Sequence, residues 1–103
     1  MLYTARQRNV TATAGEDVTL VCNSSVARPV NWWYKDQLGR DELKVVGSGE
    51  VVNEKLYHMA LIGYDLLIHS VSKNDGGVYT CVEDSGYGEH HKIFLAVSGF
   101  NFT

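Results

Sequence analysis

The segment from Leu66 to Cys81 restricts the fold of this chain more than any other part of the sequence. Leu66 and Ile68 lie two residues apart, so both side chains point to the same face of a strand. After a polar turn the chain reads Asp-x-Gly-x-Tyr-x-Cys, with the fixed positions Asp75, Gly77, Tyr79 and Cys81. Tyr79 shares a strand face with Cys81, so its ring can pack inward while its hydroxyl bonds upstream main chain at a corner. The segment therefore predicts two strands that meet at a corner over a common core.

Two residues of this motif have predicted structural roles. Gly77 suits a tight corner in which a Cβ atom would collide with its surroundings. Asp75 either bonds the local main chain of the turn or pairs with a cation near the preceding strand, and Lys55 is the candidate cation. Neither role is catalytic.

The two cysteines, Cys22 and Cys81, predict a single buried disulfide. Closing a loop of roughly 60 residues stabilises a domain by roughly 4 kcal/mol through the lost entropy of the unfolded chain. Metal binding or redox chemistry would require cysteines closer together in the sequence. We therefore expect a structural bond.

Length, charge and apolar runs exclude several classes of protein. The chain has 103 residues, so we expect residues 1–103 to form one domain, cut from a larger extracellular protein. A net charge of −3, with 9 basic and 12 acidic residues well mixed along the chain, argues against nucleic acid or an anionic membrane surface as a partner. The longest strictly apolar run, Ile93 to Val97, is too short for direct insertion into a membrane.

Three Asn-x-Ser/Thr sequons are candidates for N-glycosylation, at Asn9, Asn23 and Asn101. Beside a predicted disulfide, they indicate a secreted or cell-surface protein.

Short strands separated by turns are predicted along the rest of the chain. We expect an edge strand at 9–14, a core strand at 17–22, and further strands at 30–35, 42–46, 51–52, 56–62 and 90–97, with a glycine-rich hairpin at 84–88. Nothing in the sequence predicts a helix longer than one turn. This pattern is typical of an all-β fold, an antiparallel β-sandwich.

Over nearly its whole length the chain resembles an immunoglobulin domain of the intermediate set or a short variable set. The resemblance rests on Gly15-x-x-Val18-x-Leu20-x-Cys22, on Trp32, and on the Leu66 to Cys81 segment. It implies a two-sheet Greek-key sandwich with one disulfide between the sheets, and a non-catalytic extracellular module for protein–protein recognition or spacing. The last strand lacks the Phe/Trp-Gly-x-Gly bulge of antigen-receptor domains, which argues against antibody-like pairing.

The resemblance also implies a Trp about ten residues after the first Cys, packed on the disulfide. Alternation favours Trp32, because Val30, Trp32 and Tyr34 form the apolar set. A rival register takes the string Trp33-Tyr34-Lys35-Asp36 as the family motif and buries Trp33 instead.

Four strand patterns are similar to the immunoglobulin domain that follows the propeller in semaphorins: Val30-x-Trp32, 42–45, 66–71 and 94–97. That resemblance implies a stalk or dimer-supporting part of a guidance ligand. Two alternatives stay open. The chain could belong to an adhesion or immune-receptor ectodomain that binds a protein or itself, or to an innate immune binder of microbial glycans.

The sequence predicts no catalytic residues, no metal site and no cofactor. The histidine-rich segment Glu89-His90-His91 is interpreted as a solvated strand end, because adjacent side chains on a strand point to opposite faces and cannot readily share one metal. The remaining histidines, His58 and His69, are isolated, and His69 is expected to face solvent.

The second Trp gives the candidate binding surface. Its ring is either covered by neighbouring strands or a glycan, or it anchors a partner, since aromatic residues dominate interface hot spots. The predicted surface consists of Trp33, Lys35, Lys44, Tyr87 and His90. The expected occupant is an extracellular protein or a second copy of the chain.

Overall fold

The computed structural model of the chain describes residues 5–22, 30–39, 42–47, 50–51, 58–83 and 90–99. Within these residues the strands are β1 (Ala5–Thr13), β2 (Val18–Leu20), β3 (Val30–Asp36), β4 (Leu43–Gly47), β5 (Glu50–Val51), β6 (Met59–Ile62), β7 (Asp65–Ile68), β8 (Gly77–Glu83) and β9 (His90–Ser98). A single 3₁₀ turn, Lys73–Asp75, connects β7 to β8.

The strands form two sheets. The larger sheet has the order β1-β9-β8-β3-β4-β5, and the smaller sheet has the order β2-β7-β6. All pairs are antiparallel except β1 and β9, which run parallel from Ala5 opposite His90 to Thr13 opposite Ser98. The prediction of an all-β, two-sheet Greek-key sandwich is confirmed.

The first strand differs from its prediction. The expected strand at 9–14 begins earlier, at Ala5, and ends at Thr13. Residues 5–8 show no apolar alternation, so the sequence gives no sign that they are extended. They are held by main-chain pairing with β9, a long-range contact that local sequence does not reveal.

Alternating apolar side chains from both sheets build the core. The fully buried ones include Leu20, Val30, Trp32, Leu66, Ile68, Tyr79 and Ile93. Trp32 and Tyr79 are the largest of these, and the Trp32 indole Nε1 donates a hydrogen bond of 3.0 Å to the Tyr64 carbonyl. The core therefore contains the larger of these two rings, the Trp32 indole, with its N–H group hydrogen-bonded.

The Cys22–Cys81 disulfide joins the two sheets through the centre of this core. Both residues are completely buried, and their Cα atoms lie 5.7 Å apart. The predicted disulfide is confirmed.

The corner before β8 is held by hydrogen bonds around Asp75. The Tyr79 hydroxyl donates to the Asp75 carbonyl at 2.6 Å, and the Asp75 carboxylate accepts from the Ser72 main-chain N–H at 2.8 Å. Gly77 has φ +147°, and a Cβ atom there would lie 2.4 Å from the Lys35 carbonyl oxygen, so the corner requires glycine.

The partner of the Asp75 side chain differs from the candidate suggested by sequence. Its Oδ1 atom lies 2.8 Å from His58 Nε2, while Lys55 is outside the described residues. His58 comes just before β6. The side chain beside the Asp75 carboxylate is therefore an imidazole, whereas the sequence suggested the amine of Lys55. Asp75 therefore combines the local turn role with a contact to His58 in a distant turn.

We expect Tyr79→Phe to lower the free energy of unfolding by about 1–2 kcal/mol at neutral pH, because it leaves the buried Asp75 carbonyl without its donor. Burial, followed by the nearby Tyr34 and Asp75, raises the pKa of the Tyr79 phenol far above its usual value. Because the folded pKa is raised, the folded state favours the neutral phenol. The stability that the Tyr79 hydroxyl contributes is therefore complete below about pH 10 and is lost as pH rises further.

Urea unfolding of both proteins at pH 7 and pH 10.5 checks this prediction. Wild type should lose more stability between the two pH values than Tyr79→Phe does. Tyr64→Phe, in the turn that precedes β7, is the matched control. An equal loss in wild type and Tyr79→Phe would contradict the assignment.

Candidate protein-binding face

The Trp33 ring, which is not part of the core, lies on the outer surface of the larger sheet. Trp32 and Trp33 are neighbours on β3, so their side chains lie on opposite faces of the sheet. Trp32 is completely buried and Trp33 is half-buried. Lys35, two residues further along β3, lies on the same face as Trp33. We call this surface, opposite the core, the outer face.

Lys44 reaches the outer face because of an irregularity in β4. The pairing of β3 with β4 shifts by one residue between Trp32 and Trp33, so that Trp32 lies opposite Val46 but Trp33 lies opposite Lys44. Val45 and Val46 are consequently both buried, although simple alternation would expose one of them. The bulge lets two consecutive valines enter the core while Lys44 stays outside.

The Lys44 ammonium lies over the Trp33 ring. Its Nζ atom is 5.3 Å from the ring centroid, within the range of a cation–π interaction. At an exposed site such a contact stabilises by about 0.5–1 kcal/mol, so it favours this orientation of the indole. The three predicted residues Trp33, Lys35 and Lys44 thus share one face.

Cross-strand pairing adds residues that sequence reasoning did not include. Trp33 is paired with Thr80, which is buried, and Thr80 with Lys92. Lys35 is paired with Val78, and Val78 with Phe94. Phe94 is 39% exposed. Its position between the buried residues Ile93 and Leu95 was the available signal, because alternation on β9 places Phe94 outside.

The charged side chains described on the outer side of β3, β4, β8 and β9 are basic, although the chain as a whole is acidic. The charged side chains described at outward positions of β3, β4, β8 and β9 are Lys35, Lys44 and Lys92, as cross-strand pairing places them. The net charge of the chain is −3. The face therefore combines two aromatic rings with positive charge.

The remaining predicted surface residues are distributed differently. Tyr87 lies outside the described residues. His90, at the first position of β9, is half-buried and points to the outer side by alternation with Lys92.

The interpretation of 89–91 as a solvated strand end is wrong for His91. Its side chain is only 3% exposed, because it is the cross-strand neighbour of Cys81 and points toward the core. The His91 side chain is therefore buried, although its polarity alone suggested that it would face solvent.

His69 is exposed, as its position suggested, and lies near a carboxylate. Its side chain is 54% exposed, with Nδ1 3.6 Å from Asp17 Oδ2. The Ser70 main-chain N–H donates to Asp17 and holds the pKa of that carboxyl below its usual value, with His69 as a smaller cause. In the described part of the chain no group of three His, Cys, Asp or Glu side chains is arranged to hold a metal ion.

Of the three sequons, only the one at Asn9 lies in the described part of the chain. The Asn9 side chain is exposed on β1, whereas Asn23 and Asn101 fall outside the described residues.

Two sheets joined by a buried disulfide, a core Trp and a corner Tyr define an immunoglobulin-type sandwich. A sequence model of the family described as "Immunoglobulin domain" matches residues 3–84. The chain therefore belongs to the immunoglobulin domain family.

Two curated relatives are receptor and adhesion proteins. Vascular endothelial growth factor receptor 2 of Rattus norvegicus is 35% identical over 81 residues, which is 78% of this chain. Neural cell adhesion molecule 1 of Bos taurus is 34% identical over 100 residues, which is 87% of this chain. The matches cover 5% and 10% of these relatives' own lengths, so this chain is homologous to a small part of each.

A solved structure shows the same fold at low identity. The extracellular domain of the voltage-gated sodium channel β4 subunit superposes with a TM-score of 0.71 at 16% identity, and the match covers 98% of both chains. The extracellular domains of that subunit form parallel homodimers that explain its role in cell–cell adhesion. In the part of our chain that is described, no helix has the length and apolar character needed to cross a membrane.

Proposed function

We propose that this chain is a non-catalytic, protein-binding immunoglobulin module in the ectodomain of an adhesion or receptor protein. The observation that carries the proposal is Trp33, an indole held on the outer face under the Lys44 ammonium. The disulfide, the sequons and the receptor and adhesion relatives support an extracellular location. The small share of each relative that the chain covers supports a single module of a larger protein.

The outer face favours a partner that is acidic as well as apolar. A Trp ring that becomes fully covered on binding is a typical interface hot spot, and lysines around it attract a negatively charged surface. Packing this face against the same face of a second copy would bring the lysines of the two copies, Lys35, Lys44 and Lys92, close to one another. Such like-charge contacts are unfavourable, so we favour a different protein over a self-associating pair.

Two other functions have weaker support. The semaphorin resemblance would make the module an accessory part of a guidance ligand, but the two curated relatives reported above are a receptor and an adhesion molecule. Binding of microbial glycans through the hairpin that the sequence predicts at 84–88 would rely on residues outside those described. Neither alternative uses the aromatic and basic outer face.

Binding to an array of purified receptor and adhesion ectodomains tests the proposal. Any partner bound by wild type should bind Trp33→Ala about 30-fold more weakly, because a central aromatic anchor is lost. Lys44→Glu should also weaken binding, and wild-type affinity should fall as salt concentration rises.

Ile62→Ala is the matched control, because Ile62 is an exposed apolar residue on the smaller sheet. Partners that bind Trp33→Ala as tightly as wild type would show that another surface is used. Sedimentation equilibrium of the same proteins distinguishes binding to a different protein from binding to a second copy of the chain. A wild-type dimer that Trp33→Ala dissociates would contradict the heterophilic proposal.

A further inference from the structure

A groove of about 600 Å³ lies beside the Trp33 region on the larger sheet. Its walls come from β1, β9, the start of β8 and the end of β3. Residues that line it include Asn9, Lys35, Gln37, Val78 and Phe94. The groove therefore joins an exposed aromatic ring to polar side chains along one side.

The Asn9 sequon lies at the edge of this groove. Asn9 is the pairing partner of Phe94 in the parallel β1–β9 ladder, so the two side chains leave the sheet on the same side. Both are exposed. Thr11, the third sequon residue, is also exposed and lines the same groove.

We propose that Asn9 carries an N-linked glycan whose first N-acetylglucosamine lies in this groove against Phe94. A pyranose ring has an apolar face of C–H groups, which suits the electron-rich face of a phenyl ring. Its hydroxyl and acetamido groups require hydrogen-bond partners. On the opposite wall Lys35 provides a donor and the Gln37 side-chain oxygen an acceptor, since Gln37 Nε2 already donates to the Lys73 carbonyl. A covalent link at Asn9 holds the sugar beside the groove at all times.

The modification is a group transfer with a defined co-reactant. A bond forms between Asn9 Nδ2 and the anomeric carbon of an oligosaccharide carried on a lipid pyrophosphate. The bond between that carbon and the pyrophosphate oxygen breaks, the amide loses one proton, and the lipid pyrophosphate leaves. The host cell's secretory pathway supplies both the donor and the transferase.

A glycan in this groove divides the outer face into two parts. The Phe94 and Val78 part is covered by the sugar, while the Trp33 and Lys44 part, two residues along β3 and one strand further, stays accessible. The first part would then be closed to a protein partner. The binding surface proposed above would be narrowed to the β3–β4 side of the sheet.

Glycan trimming combined with sequon variants tests the inference. The 103-residue chain is secreted from a eukaryotic cell line that makes high-mannose glycans, and endoglycosidase H then leaves one N-acetylglucosamine on each occupied Asn. Thr11→Ala destroys the sequon and keeps Asn9, while Thr11→Ser keeps the sequon as its matched control. Peptide mass spectrometry should find the sugar on Asn9 in wild type and Thr11→Ser, and should find none in Thr11→Ala.

Two further measurements locate the sugar. Nuclear Overhauser effects should connect its protons to the Phe94 ring, and the Tm should be about 2–4 °C higher with the sugar than in Thr11→Ala. Phe94→Ala should abolish that difference between occupied and unoccupied protein. Ile62→Ala, which removes an exposed apolar side chain from the other sheet, should preserve it.

The inference rests on the extracellular location proposed above, but the two fail in different ways. An unoccupied Asn9 in secreted, disulfide-bonded protein overturns the glycan alone. An occupied Asn9 with no contact to Phe94, and the same Tm difference in Phe94→Ala, overturns the position of the sugar in the groove. Partner binding in the array experiment that is unchanged in Trp33→Ala would contradict the proposed binding surface and would leave both results on the glycan unchanged.

Discussion

Replacing both cysteines, Cys22→Ala together with Cys81→Ala, is expected to lower the free energy of unfolding by about 4 kcal/mol. The bond spans a sequence separation of 59 residues, so its removal restores a large conformational freedom to the unfolded chain. Both sulfur atoms lie in the centre of the core, where alanine leaves small voids that add to the loss. A domain of this size has little stability to spare.

Urea unfolding followed by circular dichroism measures the effect, and the slope with urea concentration should rise because the unfolded chain without its cross-link exposes more surface. Thiol titration of native wild-type protein is the control and should detect no free thiol. Two reactive thiols in the native wild-type protein, or equal stability of the double variant, would contradict the prediction.

Trp32→Ala is expected to cost about 3–5 kcal/mol, because it removes the largest completely buried side chain and its hydrogen bond to Tyr64. Trp33→Ala should cost about 1 kcal/mol, since that ring is half-buried and mainly loses contact with Lys44. The same residue type at adjacent positions makes each variant the control for the other.

Trp32→Phe separates the two contributions at the core position. It keeps much of the ring volume but not the indole N–H, so its cost should fall between wild type and Trp32→Ala. Thermal and urea unfolding at neutral pH measure all three variants. A larger loss for Trp33→Ala than for Trp32→Ala would reverse the assignment of the core ring.

Alternation and spacing predicted the centre of the fold well. Residues such as Leu66, Ile68 and Tyr79 face the core because a strand places every second side chain on one side, and this property is visible in local sequence. The disulfide followed from a count of two cysteines. These features depend on short-range chemistry that the sequence displays directly.

Features that depend on a partner strand could not be read in this way. The early start of β1 at Ala5 depends on pairing with β9, which lies at the other end of the chain. The bulge at Val45 and Val46 exists only in relation to β3. The contact between His58 and Asp75 likewise needs the three-dimensional approach of two distant turns.

The candidate face was predictable in part for the same reason. Parity on β3 grouped Trp33 with Lys35, but Thr80 and Lys92 joined them only through cross-strand register. Phe94 lies within the apolar run Ile93 to Val97, in which residue type alone does not separate inward from outward side chains, so its exposure was not predicted. A binding face on a sheet is made of rows that cross several strands, whereas the sequence displays only one strand at a time.

The parallel pairing of β1 with β9 has a mechanical consequence. The first strand begins beside His90 and the last strand ends beside Thr13, so Ala5 and Ser98 lie about 26 Å apart along the ladder. Tension applied through Ala5 and Ser98 would slide one strand along the other and load all their hydrogen bonds together. A module connected in this way resists stretching as a whole and does not open one bond at a time.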